Sequence, residues 1–139
     1  MGKHKVSTEW KGDMKFEADV TGHKVVMDTT PEFGGHEEGP RPKPLVLASL
    51  TGCTGMDVVS ILKKMKVELD GFRLICEADM ADEHPKVYTN INLIYEFRGK
   101  NLERSKLEKA VKLSQEKYCG VSAMLRKNCP VNYKISIVD

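Results

Sequence analysis

One long stretch of the chain, residues 45–66, would be apolar on nearly every side if it formed a helix. Its apolar side chains fall at positions 45, 46, 47, 50, 53, 56, 58, 59, 61, 62 and 65, and a helix that is apolar all round is a buried one. Pro44 suits the first turn of this helix, and three lysines suit its last turn, where the helix dipole favours cations. We therefore predict a buried central helix over residues 44–66. One chain of 139 residues cannot easily cover it, which favours a homodimer in which two such helices pack together.

The remaining segments predict a single α+β domain over residues 1–139, built from bent antiparallel sheets around the central helix. Alternating apolar residues predict three N-terminal strands within residues 1–30, joined as an antiparallel meander. Glycine and proline make residues 31–43 a long loop. Residues 70–99 alternate again and predict a long hairpin. A second, amphipathic helix and a short third one occupy residues 104–126, with a capping box from Ser105 to Glu108. A last strand at residues 131–138 closes the chain.

Composition restricts the classes of partner. The 22 basic and 20 acidic residues nearly balance, so charge gives no reason to expect a nucleic acid or a membrane surface as partner. No run reaches the roughly 18 apolar residues of a membrane span, and the polar N-terminus lacks the apolar core of a signal peptide. We therefore expect a cytoplasmic protein. No pattern predicts a cofactor. The cysteines at 53, 76, 119 and 129 and the four histidines are scattered, which argues against a metal site.

Two of the cysteines, Cys53 and Cys119, lie beside glycines that interrupt or end predicted helices, and they are candidates for a redox pair. Cys119 precedes Gly120 at a helix junction, where free N–H groups could face its sulfur and favour the thiolate. Cys53 has only Asp57 nearby in sequence, and a carboxylate would raise a thiol pKa. Glycines on either side of Cys53 would allow close approach by a neighbouring element or by a substrate. The residues by themselves leave Cys53 either a packed core thiol or a reactive one.

Residues 39–53 read Gly-Pro-Arg-Pro-Lys-Pro-Leu-Val-Leu-Ala-Ser-Leu-Thr-Gly-Cys, and Cys119-Gly-Val-Ser122 follows the second long helix. These motifs, with the order of the predicted elements, resemble the OsmC/Ohr family, which covers organic hydroperoxide resistance proteins. The resemblance implies an OsmC-like fold, an intertwined homodimer and thiol-dependent reduction of organic hydroperoxides. It would make Cys53 the peroxidatic residue and Cys119 the resolving one, with an external dithiol reducing their disulfide.

The chain departs from the family where an arginine and a glutamate assist the first cysteine. Lys43 and Pro44 stand where the family has its glutamate, and Arg41 is the only arginine before Cys53. Arg41 and Lys43 are therefore the candidates for an assisting positive charge. The missing glutamate supports a second hypothesis, an OsmC-like module that is not catalytic and binds an apolar small molecule or a protein partner. A third hypothesis is thiol chemistry on a different electrophile.

Overall fold

The computed structural model describes residues 2–138, and Met1 and Asp139, the ends of the predicted domain, lie outside the described residues. Contacts divide the chain into two compact units, the first ending at Val46 and the second beginning at Leu47. The single domain over residues 1–139 therefore stays a prediction. The mixed α+β class is confirmed in the described residues, which form two three-stranded sheets and three α-helices.

The first unit contains the predicted meander. Strands β1 (Val6–Trp10), β2 (Phe16–Val20) and β3 (His23–Met27) pair antiparallel in that order. Val20 pairs with His23, so the turn between β2 and β3 contains only Thr21 and Gly22. Both turn residues have positive φ, 47° and 83°, which is the backbone of a tight turn whose twist matches that of the strands.

The loop after β3 is organised by the buried carboxylate of Asp28. One oxygen accepts the N–H of Thr29 at 2.7 Å, and the other accepts the N–H groups of His36 and Glu38 at 3.2 Å. The hydrogen bond from Thr29 lowers the pKa of Asp28 most, and the N–H groups of Glu38 and His36 lower it further. Together they outweigh burial, which raises it, so the pKa of Asp28 lies below its ordinary value. A Cβ on Gly35 would lie 2.1 Å from the Thr29 carbonyl oxygen. The glycine therefore permits the close backbone approach that this loop requires.

The predicted central helix is confirmed as α1, Pro44–Lys64. Within the chain only one of its faces is buried, the side chains of Leu50, Thr54, Val58 and Leu62, while Val46, Met56 and Val59 are exposed. The expectation of burial on all sides is therefore not met by a single chain. The helix is long and apolar enough to cross a membrane by length and composition, a test that the core helix of a soluble protein also passes.

The second unit is built on a sheet of β4 (Gly71–Met80), β5 (Tyr88–Arg98) and β6 (Val131–Val138). The predicted hairpin of β4 and β5 is confirmed. However, β5 and β6 pair in parallel, so this sheet is mixed rather than antiparallel. The reason is the connection: helices intervene between β5 and β6, and a crossover returns the chain in the same direction. The register of the β4–β5 pairing shifts between Asp79 and Met80. In β5 every second residue from Ile91 to Phe97 is therefore buried, whereas beyond the shift the buried residue is Tyr88.

Helical segments connect β5 to β6. Helix α2 spans Arg104–Leu113, a π-helical turn spans Ser114–Tyr118, and helix α3 spans Gly120–Arg126. The predicted capping box is wrong, because α2 begins two residues earlier than a Ser105 N-cap requires, at Arg104, and Glu103 is its N-cap. Ser105 therefore lies inside the first turn. The amphipathic character is confirmed: Leu107, Ala110 and Val111 are fully buried and join the core formed with α1 and β5.

Candidate functional site

Cys53 and Cys119 come together in the second unit. Cys53 lies on α1, and Cys119 is the N-cap of α3. Their sulfur atoms and a carboxylate oxygen of Asp57 all lie within 4.8 Å of one another. Asp57 follows Cys53 by four residues, which places both side chains on one face of the helix. Cys53 and Asp57 are half-buried, whereas Cys119 is only 3% exposed. All four cysteines are free thiols.

The electrostatics at Cys119 differ from what the sequence predicts. Its sulfur does accept the N–H of Ser122, at 3.4 Å, so the expected helix N-terminal contact exists. Burial nevertheless dominates, and the pKa of Cys119 rises to about 11. The Ser122 N–H lowers it, while the hydrogen bond to Cys53 and the charge of Asp57 raise it further. In the reduced protein Cys119 is therefore held as a neutral thiol, in hydrogen-bond contact with Cys53.

A buried polar network lies behind the two sulfurs and begins at Thr54, the neighbour of Cys53. The Thr54 hydroxyl is 2.7 Å from the hydroxyls of Tyr95 and Ser114 and 3.2 Å from Gln115 Nε2, which donates to it. Ser114 in turn donates to Asp57 Oδ2 at 2.9 Å. Burial raises the pKa of Tyr95 to about 12, so its hydroxyl stays protonated. The network therefore fixes the carboxylate that faces the two thiols.

The other half of the network ties α3 to the π-helical turn. Gln115 Nε2 donates to Tyr95 at 2.8 Å, and its Oε1 accepts the hydroxyl of Ser122 at 2.6 Å. Arg126 also donates to Oε1 of Gln115 and to its backbone carbonyl. Ser122 supplies the N–H that reaches the Cys119 sulfur. The position of Cys119 is thus set by groups that are themselves held by hydrogen bonds.

The surroundings of Cys53 are apolar on one side and open on another. Cys53 packs against the core cluster of the second unit. A Cβ on Gly55 would touch Leu74 of β4 at 3.0 Å, whereas a Cβ on Gly52 would meet nothing within 4 Å. Of the two explanations for these glycines, close packing therefore applies to Gly55, whereas a side chain at Gly52 would meet open space.

The other sequence candidates lie on other segments of the chain. Arg41 and Lys43 lie in the first unit, exposed, in the segment before α1, and their assisting role stays a prediction. Cys76 lies on β4, where burial raises the pKa of its thiol. Cys129 is buried before β6, as expected of a structural residue.

The sequence did not reveal the buried polar network. Ser114 is recognisable as part of the inward face of α2, and Ser122 as part of the Cys-x-x-Ser motif. Their common partner Gln115 carries no such signal, because nothing in the sequence pattern indicates the π-helical turn over Ser114–Tyr118 in which Ser114 and Gln115 are both buried. Turns of this kind occur frequently at functional sites.

Comparisons with known proteins agree on one family. The family model described as OsmC-like protein matches residues 35–134. Protein YhfA of Escherichia coli K12 is 30% identical over 131 residues, which cover 94% of this chain and 95% of YhfA.

Solved structures share the fold. A hypothetical protein from Aquifex aeolicus superposes with a TM-score of 0.84 at 30% identity, over 100% of both chains. The organic hydroperoxide resistance protein OhrB of Bacillus subtilis superposes with a TM-score of 0.68 at 19% identity, over 97% of this chain and 98% of its own. With the family model matching residues 35–134 and a 30% identical relative aligned over 94% of its length, this chain belongs to the OsmC-like protein family.

Proposed function

We propose that the protein is a thiol-dependent peroxidase that reduces organic hydroperoxides, with Cys53 as the peroxidatic residue and Cys119 as the resolving one. The observation that carries the proposal is the approach of the two sulfurs to within 4.8 Å, because a sulfenic acid on one cysteine can then react directly with the other thiol. The fold shared with an organic hydroperoxide resistance protein supports the same chemistry. The half-buried, apolar setting of Cys53 suits an alkyl hydroperoxide.

The first step oxidises Cys53. Its thiolate attacks the distal oxygen of the hydroperoxide, the O–O bond breaks, and the alkoxide leaves and takes up a proton to become the alcohol. Asp57 is the group placed to accept the thiol proton and to return it to the alkoxide, since its oxygen lies within 4.8 Å of both sulfurs. The donated hydroxyl of Ser114 orients that carboxylate.

The second step closes a disulfide. The Cys119 sulfur attacks the sulfenic sulfur of Cys53, and hydroxide leaves as water after taking the Cys119 proton. Because the pKa of Cys119 is about 11, few molecules hold a thiolate at neutral pH, and Asp57 relays the Cys119 proton to the leaving hydroxide. An external dithiol then reduces the disulfide, so that one hydroperoxide and one dithiol give one alcohol, one water and one dithiol disulfide.

The proposal is tested by following cumene hydroperoxide consumption with dithiothreitol as the reductant. Wild type and the matched control Cys129→Ser should turn over at similar rates, and Cys53→Ser should not turn over. Asp57→Asn should lose on the order of a hundredfold in rate, the usual contribution of a positioned acid or base. Equal rates for wild type and Cys53→Ser would refute the assignment of Cys53.

The non-catalytic module remains the second candidate, and one observation favours it. The thiol of Cys119 is driven away from ionisation by burial rather than activated, which is the behaviour of a packed thiol rather than of a reactive one. Absence of turnover in wild type, together with saturable binding of an apolar probe at Cys53, would replace the peroxidase by this module.

A homodimer and a cytoplasmic location belong to the same proposal. The exposed apolar residues of α1, Val46, Met56 and Val59, are a surface that a second copy would cover. The chemistry needs reduced thiols and an external dithiol, which the cytosol supplies. Sedimentation velocity should give twice the monomer mass, and Met56→Glu should shift the equilibrium towards the monomer.

A further inference from the structure

The donor atoms of Cys53, Asp57 and Cys119 are already gathered as metal ligands would be. The two sulfurs and the carboxylate oxygen lie within 4.8 Å of one another. Around a tetrahedral Zn²⁺, bonds of about 2.3 Å to sulfur and about 2.1 Å to oxygen place the ligand atoms roughly 3.5–3.8 Å apart. Small side-chain rotations would therefore bring all three to one ion.

The chemistry of the donors selects the class of ion. Two thiolates are soft ligands, which favour zinc and similar thiophilic metals over magnesium or calcium, whose preferred ligands are all oxygen. Sequence spacing hides the site, because two ligands come from one turn of α1 and the third from the start of α3.

The surrounding groups hold these ligands as an outer shell does in established metal sites. Ser122 donates its N–H to the Cys119 sulfur at 3.4 Å, and Ser114 donates its hydroxyl to Asp57 Oδ2 at 2.9 Å. Ser114 is itself fully buried and bonded to Thr54. Two of the three ligands are thus oriented by fixed donors before any ion arrives.

We propose that Cys53, Asp57 and Cys119 form a binding site for one Zn²⁺ ion. Cys119 closes the inner side of the site, and the half-buried Cys53 and Asp57 leave its outer side reachable, so the fourth position is open to water or a small ligand. The bound form requires reduced thiols but no peroxide chemistry, so the site does not depend on the proposed function. Metal and hydroperoxide compete for the same sulfurs, and the ion protects them from oxidation.

The site is tested with Co²⁺ as a spectroscopic probe on the reduced full-length protein, followed by displacement with Zn²⁺. Wild type and the control variants Cys76→Ser and Cys129→Ser should each bind one equivalent of Co²⁺, with the intense charge-transfer absorption of thiolate ligands. Cys53→Ser and Cys119→Ser should lose that absorption or most of it. Asp57→Asn should bind at least about tenfold more weakly, the lower end of what even outer-shell changes cost.

Three results would overturn the proposal: no thiolate absorption in wild type, an unchanged spectrum in Cys53→Ser, or an unchanged affinity in Asp57→Asn. Circular dichroism of each variant separates loss of the site from loss of the fold. Because binding is read without hydroperoxide, a protein that binds the ion but does not turn over refutes the peroxidase alone. A protein that turns over without binding the ion refutes the metal site alone.

Discussion

Replacing Thr54 by valine removes one buried hydroxyl from behind the thiol pair and keeps the shape of the side chain. Thr54 is fully buried, and its hydroxyl contacts Tyr95, Ser114 and Gln115. We expect Thr54→Val to lower the free energy of unfolding, because these partners lose a hydrogen bond that water cannot replace.

The decrease in the free energy of unfolding depends on which hydrogen bonds the partners of Thr54 retain in the variant. Tyr95 retains its bond from Gln115 at 2.8 Å, and Ser114 retains its bond to Asp57 at 2.9 Å. No partner of Thr54 is left entirely without a bond, so the larger penalty of an unsatisfied buried group does not apply in full. A neutral hydrogen bond contributes about 1 kcal/mol, and rearrangement of the remaining hydrogen bonds recovers part of what is lost. The free energy of unfolding should therefore fall by about 1–2 kcal/mol.

The assay is urea unfolding at a fixed protein concentration, with Thr51→Val as the matched control on the same helix. The Thr51 hydroxyl donates only to the Ala48 carbonyl, at an exposed position, so this variant should change stability by less than about 0.5 kcal/mol. The same exchange is made in both variants, so helix propensity cancels. Equal losses for Thr51→Val and Thr54→Val, at unchanged denaturant slope, would refute the energetic role of the network.

Three further outcomes follow from the electrostatics and the hydrogen bonds. Alkylation of Cys119 against pH, read by peptide mass spectrometry, should have its midpoint near pH 11, and a midpoint at 9.0 or below would contradict the dominance of burial. The Asp13 carboxylate raises the pKa of His36 above 6.5, so their stabilising contribution is complete below pH 6.5 and disappears as pH rises through the folded pKa. NMR titration should show that midpoint falling in Asp13→Asn. Arg126→Met should cost about 1 kcal/mol in urea unfolding, and no loss would show that its bonds to Gln115 are not maintained in solution.

The sequence predicts the fold where local patterns carry the information. The strands of the first sheet, α1 and the β4–β5 hairpin all follow from apolar period and turn residues. The parallel pairing of β6 does not, because strand direction depends on where the intervening helices lie. The predicted capping box at Ser105 is wrong because a local pattern indicates possible N-caps but does not decide which one is used. Helix α2 begins at Arg104, with Glu103 as its N-cap.

The two cysteines of the candidate site could be predicted from the sequence, but the groups that surround their sulfur atoms could not. The Cys-x-x-Ser motif and the resemblance indicate Cys53 and Cys119, and helical period places Asp57 on the face of Cys53. The sign of the pKa shift at Cys119 was not predictable, because the N–H that favours the thiolate is local while the burial that opposes it comes from the tertiary fold. The roles of Arg41 and Lys43 stay predictions.

The intact mass of the reduced protein after one equivalent of cumene hydroperoxide shows directly whether Cys53 and Cys119 act as a peroxidatic pair. Wild type should lose two hydrogens, and the new disulfide should join Cys53 to Cys119. Cys119→Ser should form a sulfenic acid at Cys53 that dimedone traps, and Cys53→Ser should show no rapid change. Slow oxidation spread over several cysteines, or oxidation that persists without Cys53, would contradict the assignment of the two cysteines.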